Sequence, residues 1–167
     1  MKRGGSKQKG GAFERWCCKH LSLWVSHGRK EDVFWRSAMS GGRATVGGRK
    51  GKDLARQAGD ITAVASEGHT LTNHYYIECK HVRDLCVHGL WLKYGKLFGF
   101  WRIACTEARK HRRMPMLIAR QNNYPTLVLI KQGARVFPER LRLANVQTVG
   151  CDVYLFDDVM QTEYGRL

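Results

Sequence analysis

Asp60, Glu78 and Lys80 are the residues whose types and spacing carry the most chemistry in this sequence. Residues 75–80 read as a strand, so Glu78 and Lys80 project from one face, and Cys79 and His81 from the other, where the core helix of residues 97–113 would pack. Residues 60–65 read as the preceding strand, opened by Asp60 behind Gly59, and the polar stretch 66–73 with Gly68 reads as a hairpin loop. In simple register Asp60 faces the residues around Glu78 to Lys80, which brings two carboxylates and one ammonium to one end of a sheet. Such a trio suits phosphodiester hydrolysis. Mg²⁺ takes oxygen ligands and keeps several waters, so Asp60 and Glu78, with the backbone carbonyl of Cys79 as a third ligand, suffice to hold it. A metal there would lower the pKa of a bound water, and Lys80 would orient that water and stabilise the transition state. By itself a Glu-x-Lys strand is usually a solvated face with a weak ion pair. Here the Gly-Asp start, apolar strand neighbours, a basic Gly-rich loop upstream and a helix downstream favour the chemical reading.

The elements that must position these residues follow from periodicity. Phe13, Trp16, Cys17, Leu21, Trp24 and Val25 recur at helical steps, and Gly28 stands where that helix would stop. Residues 1–11 lack periodicity and read as a disordered basic arm, leaving 12–167 as a single domain. Residues 33–38 form a short strand, and 39–58 a mobile basic loop with a helical turn near Leu54. Leu97, Phe100, Trp101, Ala104, Cys105 and Ala108 mark a core helix over residues 97–113. Residues 114–120 and 126–131 are strands around a turn with Pro125; a helical turn near 138–144 and a strand over 152–156 complete the chain. Helix, strands, helix, strands implies an α/β fold, a mixed sheet with helices packed on it.

Twenty-nine Lys and Arg against fourteen Asp and Glu leave a net charge of +15, a field suited to a polyanionic partner, most commonly a nucleic acid. Arg43, Arg49, Lys50, Lys52 and Arg56 crowd the loop before Asp60, and Lys110, Arg112 and Arg113 close the core helix. Both runs flank the candidate site in sequence, which favours phosphate contacts over an idle solvated face. No secretory leader follows the first residues and no run of about 18 apolar residues occurs, so a cytoplasmic protein away from membranes is expected, its six cysteines reduced.

Read in order, Phe13-Glu14-Arg15, Trp35-Arg36-Ser37, Ser40-Gly41-Gly42, Gly59-Asp60-Ile61 and Ile77-Glu78-Cys79-Lys80 resemble the PD-(D/E)xK nuclease superfamily. Within it they are most similar to Holliday junction resolvases of the archaeal and phage type. The resemblance covers about residues 10–120, and Gly59 stands in place of the proline that names the motif. It implies a restriction-endonuclease-like mixed central sheet flanked by helices. It further implies Mg²⁺-dependent (or Mn²⁺-dependent) cleavage of DNA, leaving 5′-phosphate and 3′-hydroxyl ends. Asp60 and Glu78 would then be metal ligands, Lys80 the assistant to the attacking water, and Glu14 an accessory ligand from the first helix, unless it is a plain solvent-facing glutamate. Ser40, with Gly41 and Gly42, would contact a phosphate, unless the segment is an ordinary flexible loop. Arg120 or Gln121, where some members place a further catalytic Gln or Lys, is a candidate accessory residue. Branched DNA is the expected substrate, a homodimer the expected state since resolution needs two cuts; if phage-encoded, the protein acts in the host cytoplasm. Other phage DNA-processing, restriction or repair endonucleases of this fold, and a non-catalytic nucleic-acid-binding domain, stay open.

Two further patterns are weaker. Cys79, His81, Cys86 and His88 suggest zinc, but the spacing matches no common module. Trp91, Tyr94, Phe98, Phe100 and Trp101 could stack on bases, but helical spacing among the last members favours core packing.

Overall fold

The computed structural model describes residues 5–37 and 58–165, with side chains from residue 9 onward. α1 spans Gly5–Val25, β1 Phe34–Arg36, β2 Ile61–Ala63, α2 Ser66–His74 and β3 Tyr75–Val82. α3 (Gly89–Leu92) and α4 (Gly95–Lys110) lead to β4 (Met114–Gln121) and β5 (Leu127–Lys131). A 3-10 turn, β6 (Arg142–Val146), a second 3-10 turn, β7 (Cys151–Leu155) and α5 (Phe156–Met160) follow. Five strands form a mixed sheet in the order β3-β4-β5-β7-β6: β3 and β4 are parallel, the other pairs antiparallel. This is the α/β architecture expected of a restriction-endonuclease-like domain. Among the described residues no helix is long and apolar enough to cross a membrane.

Both faces of the sheet are covered, which explains why β4 and β5 read as continuous apolar runs instead of alternating ones. Met116, Ile118, Val128 and Ile130 pack toward Phe13, Cys17, Leu21 and Trp24 of α1. Leu117, Ala119 and Leu129 pack toward Leu97, Trp101 and Ala104 of α4. Pro115 lies in β4 just outside its pairing with β5, which begins at Met116, so its missing N–H leaves that ladder whole. α1 starts at Gly5, inside the stretch expected to be a disordered arm, so residues 5–11 are its first turns.

The hairpin expectation is corrected. β2 pairs antiparallel with β1, Arg36 opposite Ile61 and Phe34 opposite Ala63, in a separate two-stranded sheet. The expected loop is helix α2, and Gly68 is a packing residue in it: a Cβ there would fall 2.6 Å from the Phe34 ring. The face of β3 carrying Cys79 also differs, because α1 covers it and α4 covers the opposite one; His81 lies 5.3 Å from the Phe13 ring of α1. β6 and α5 are additions to the sequence reading, which has only a helical turn and one strand in that region.

Candidate active site

Among the described residues β3 is the edge strand of the five-stranded sheet, and its outer edge is where the candidate residues gather. The Asp60 backbone N–H donates to the Ile77 carbonyl at 2.8 Å, and Asp60 Oδ2 accepts from the Cys79 N–H at 2.8 Å. Ser37 N–H in turn donates to the Asp60 carbonyl at 2.9 Å, tying the end of β1 to the same point. The residues before β2 thus dock on β3 although β2 itself pairs elsewhere. Gly59 makes the approach possible. Its φ is +87°, and a Cβ would stand 2.5 Å from the Ile77 carbonyl oxygen, so neither proline nor an ordinary side chain fits there.

Alternation along β3 then places Tyr76, Glu78 and Lys80 on the α4 side. The Lys80 ammonium is hydrogen-bonded to Glu78 Oε1 and lies 3.6 Å from Asp60 Oδ2, so one cation is shared between two carboxylates. The Tyr76 hydroxyl donates to Glu78 Oε2 at 3.2 Å, so both oxygens of Glu78 are held. Cys79 takes part through its backbone. Its thiol is buried beside α1, while its N–H points to Asp60, and in a strand the carbonyl of the same residue faces the same edge.

The electrostatics follow from crowding like charges in a partly dry place. Burial, and then the Glu78 carboxylate, push the Asp60 carboxyl up from 3.8 to about 6, against the opposing pull of Lys80 and the Cys79 amide. Burial would lower the Lys80 ammonium, but Asp60 and Glu78 outweigh it and raise it above its ordinary value. Burial and the same carboxylates raise the Tyr76 phenol, which stays a neutral donor.

Glu14 of α1 stands within electrostatic reach of Asp60. It pairs with Arg36 of β1, its side chain is largely buried, and its charge contributes to the raised Asp60 carboxyl. Among the described residues no group of three or more His, Cys, Asp and Glu forms a ready metal cage. The oxygen donors are the Asp60 and Glu78 carboxylates, with the Cys79 carbonyl on the same edge. That set is short of a full cage but fits a hard ion that retains water, and two crowded carboxylates sharing an ammonium have the charge to hold a divalent cation.

Of the expected DNA contacts, Ser40, Gly41, Gly42, Arg43, Arg49, Lys50, Lys52 and Arg56 lie outside the described residues. Lys110, Arg112 and Arg113 stand at the end of α4, beside the site, since His111 between them stacks on Tyr76 with centroids 5.7 Å apart. Arg120 is a correction. It lies on the α1 face of the sheet, with its guanidinium 3.9 Å from the Trp16 ring centroid and its Nε bonded to Thr126, away from the face of Glu78 and Lys80. Gln121 accepts from the Leu85 N–H at 2.8 Å and anchors the segment that follows β3. Tyr76 and Arg36 are partners of the site that sequence reasoning gave no role. The former was accessible to it, because Tyr76, Glu78 and Lys80 are alternate residues of one strand.

A family model described as "Phage putative PDDEXK endonuclease" matches residues 5–159. No curated protein and no solved structure matches the chain.

Proposed function

The chain belongs to the phage PDDEXK endonuclease family, and from that premise we propose that it is a Mg²⁺-dependent endonuclease selective for branched DNA. Membership makes it a nuclease, a hydrolase with DNA as substrate. The observation that carries the finer reading is the Lys80 ammonium held between Asp60 and Glu78 at the outer edge of β3. Asp60 and Glu78, with the Cys79 carbonyl, would hold the ion, with Glu14 as an accessory carboxylate. Bound there, Mg²⁺ would supply Lewis acidity to the phosphodiester hydrolysis. Lys80 orients the attacking water and offsets charge building on the scissile phosphate. Tyr76 and Lys80 fix the Glu78 carboxylate, and Gly59 fixes Asp60. The surplus of positive charge, with Lys110, Arg112 and Arg113 next to the site, grips the phosphate backbone without reading sequence.

Four-way junctions are the preferred substrate, and a homodimer with two sites is the working form, since resolution requires paired cuts. Support for this finer reading is the order of Glu14, Asp60, Glu78 and Lys80 along the chain and the meeting of Asp60, Glu78 and Lys80 at one place, with Glu14 within electrostatic reach of Asp60. Cleavage of a labelled four-way junction is compared with that of a linear duplex of the same arms, with Mg²⁺ and with EDTA. Preferential, Mg²⁺-dependent cutting of the junction is expected. Equal cutting of both substrates overturns the junction selectivity, and cutting in EDTA overturns the metal.

A further inference from the structure

The segment joining β3 to α4 is built as a rigid excursion with an apolar crown. Its base is closed by the Leu97 N–H donating to the Leu85 carbonyl at 2.9 Å, and Gln121 takes the Leu85 N–H. Leu85, Leu90 and Leu97 are buried beneath it. Within it the Tyr94 N–H donates to the Gly89 carbonyl at 2.9 Å. Gly89 and Gly95 have no room for a side chain: a Cβ would meet the Tyr94 carbonyl oxygen at 2.4 Å and the Cys86 sulfur at 2.8 Å. On this fixed base Trp91, Leu92 and Tyr94 are 44%, 68% and 47% exposed, whereas Trp101 of the neighbouring helix is 2% exposed. Tight construction beneath and exposed rings above is the form of a recognition loop, because the ordering cost of presenting the rings is already met by the fold.

Charge indicates what sits on it. From residue 85 to 106 there is no Asp or Glu, while Lys93, Lys96 and Arg102 are present. Two copies of this face would repel each other, whereas a polyanion is attracted. Phosphates alone make no use of Trp91 and Tyr94. Base faces do, but only where bases are unpaired and free to stack.

We propose that residues 85–97 form a stacking platform, with Trp91 and Tyr94 as its rings and Lys93 and Lys96 as its phosphate contacts, for unpaired bases of the DNA substrate. This rests on the nuclease reading and deepens it, because the platform grows directly from the strand carrying Glu78 and Lys80, and base pairs at the centre of a branch, which lose a stacking neighbour, open and offer base faces that plain duplex keeps stacked.

Binding is measured by fluorescence anisotropy with labelled single strand, blunt duplex and four-way junction, Ca²⁺ replacing Mg²⁺ to prevent cutting. Trp91→Ala and Tyr94→Ala are each expected to weaken single-strand and junction binding about tenfold, and duplex binding less than about twofold, with Trp91→Phe restoring it. Single strand should also quench the tryptophan emission of the wild type more than that of Trp91→Phe; this comparison decides if the alanine variants fail to fold. Unchanged affinities with no difference in quenching, or equal loss on all three DNAs, overturn the platform. A change of oligomeric state in sedimentation on Trp91→Ala overturns it in favour of an interface between copies. A wild type that shows this binding pattern yet never cuts DNA overturns the nuclease reading and leaves the platform standing.

Discussion

Asp60→Asn separates the cost of the active-site charge from its use. In the folded protein the Asp60 carboxyl titrates near 6 against an ordinary 3.8, because burial and Glu78 disfavour its ionised form. A raised carboxyl means that the folded state holds its proton more tightly than the unfolded state. The penalty is therefore absent below 3.8, grows as pH rises between the two values, and is complete above 6. Two pKa units correspond to roughly 3 kcal/mol at most, the amount by which ionised Asp60 destabilises the metal-free protein near pH 8. Asparagine has the same shape, still accepts the Cys79 N–H through its Oδ1, and carries no charge. In EDTA at about pH 8 the variant should be the more stable protein by about 1–3 kcal/mol, raising the Tm by several degrees at about 2–4 °C per kcal/mol. The gain should shrink as pH falls through 6 toward 3.8. Mg²⁺ should reverse the ranking, stabilising the wild type by mass action and leaving the variant unmoved. Thermal melts over a pH series, with EDTA and with Mg²⁺, measure all of this, and a cleavage assay should show that the variant is inactive. A variant less stable than wild type in EDTA near pH 8, a difference that ignores pH, or residual Mg²⁺-dependent cutting would refute the reasoning.

Lys80→Ala leaves the buried Asp60 and the partly buried Glu78 carboxylates without their shared cation, so it should lower metal-free stability by about 3 kcal/mol. Mg²⁺ should recover part of that in a melt while cleavage stays lost and DNA binding in Ca²⁺ persists; cutting at the wild-type rate would exclude Lys80 from the reaction. Gly59→Ala must place a Cβ against the Ile77 carbonyl at a φ of +87°, and should lose about 2 kcal/mol or more in urea unfolding. Gly59→Pro should lose still more, and a neutral result for either contradicts the docking of Asp60 on β3. Tyr76→Phe removes the donor to Glu78 Oε2, so the Mg²⁺ concentration for half-maximal cleavage should rise several-fold at unchanged DNA affinity. An unaltered Mg²⁺ titration would mean that Tyr76 only packs.

Much of the site was legible in the residues themselves. Alternation along a strand is a property of the backbone, so Glu78 and Lys80 share a face whatever surrounds them, and the two helices and the β4 and β5 runs follow from apolar spacing alone. The sequence by itself therefore determined the chemical kit, the net charge of +15 and the broad α/β class. Tertiary structure decided which partner each element chose. The stretch 66–74 is polar and contains Gly68, which reads locally as a turn; it is a helix because Leu71 is buried and Gly68 closes on Phe34. β2 accordingly pairs with β1, and Asp60 reaches β3 through one backbone hydrogen bond instead of a hairpin ladder. Arg120 was placed by the helix that covers its face, and Trp91 and Tyr94 were separated from Trp101 by burial that no spacing encodes. Periodicity reports the geometry of one element, whereas pairing and coverage are set by contacts between residues far apart in sequence, and those exist only once the whole core has formed.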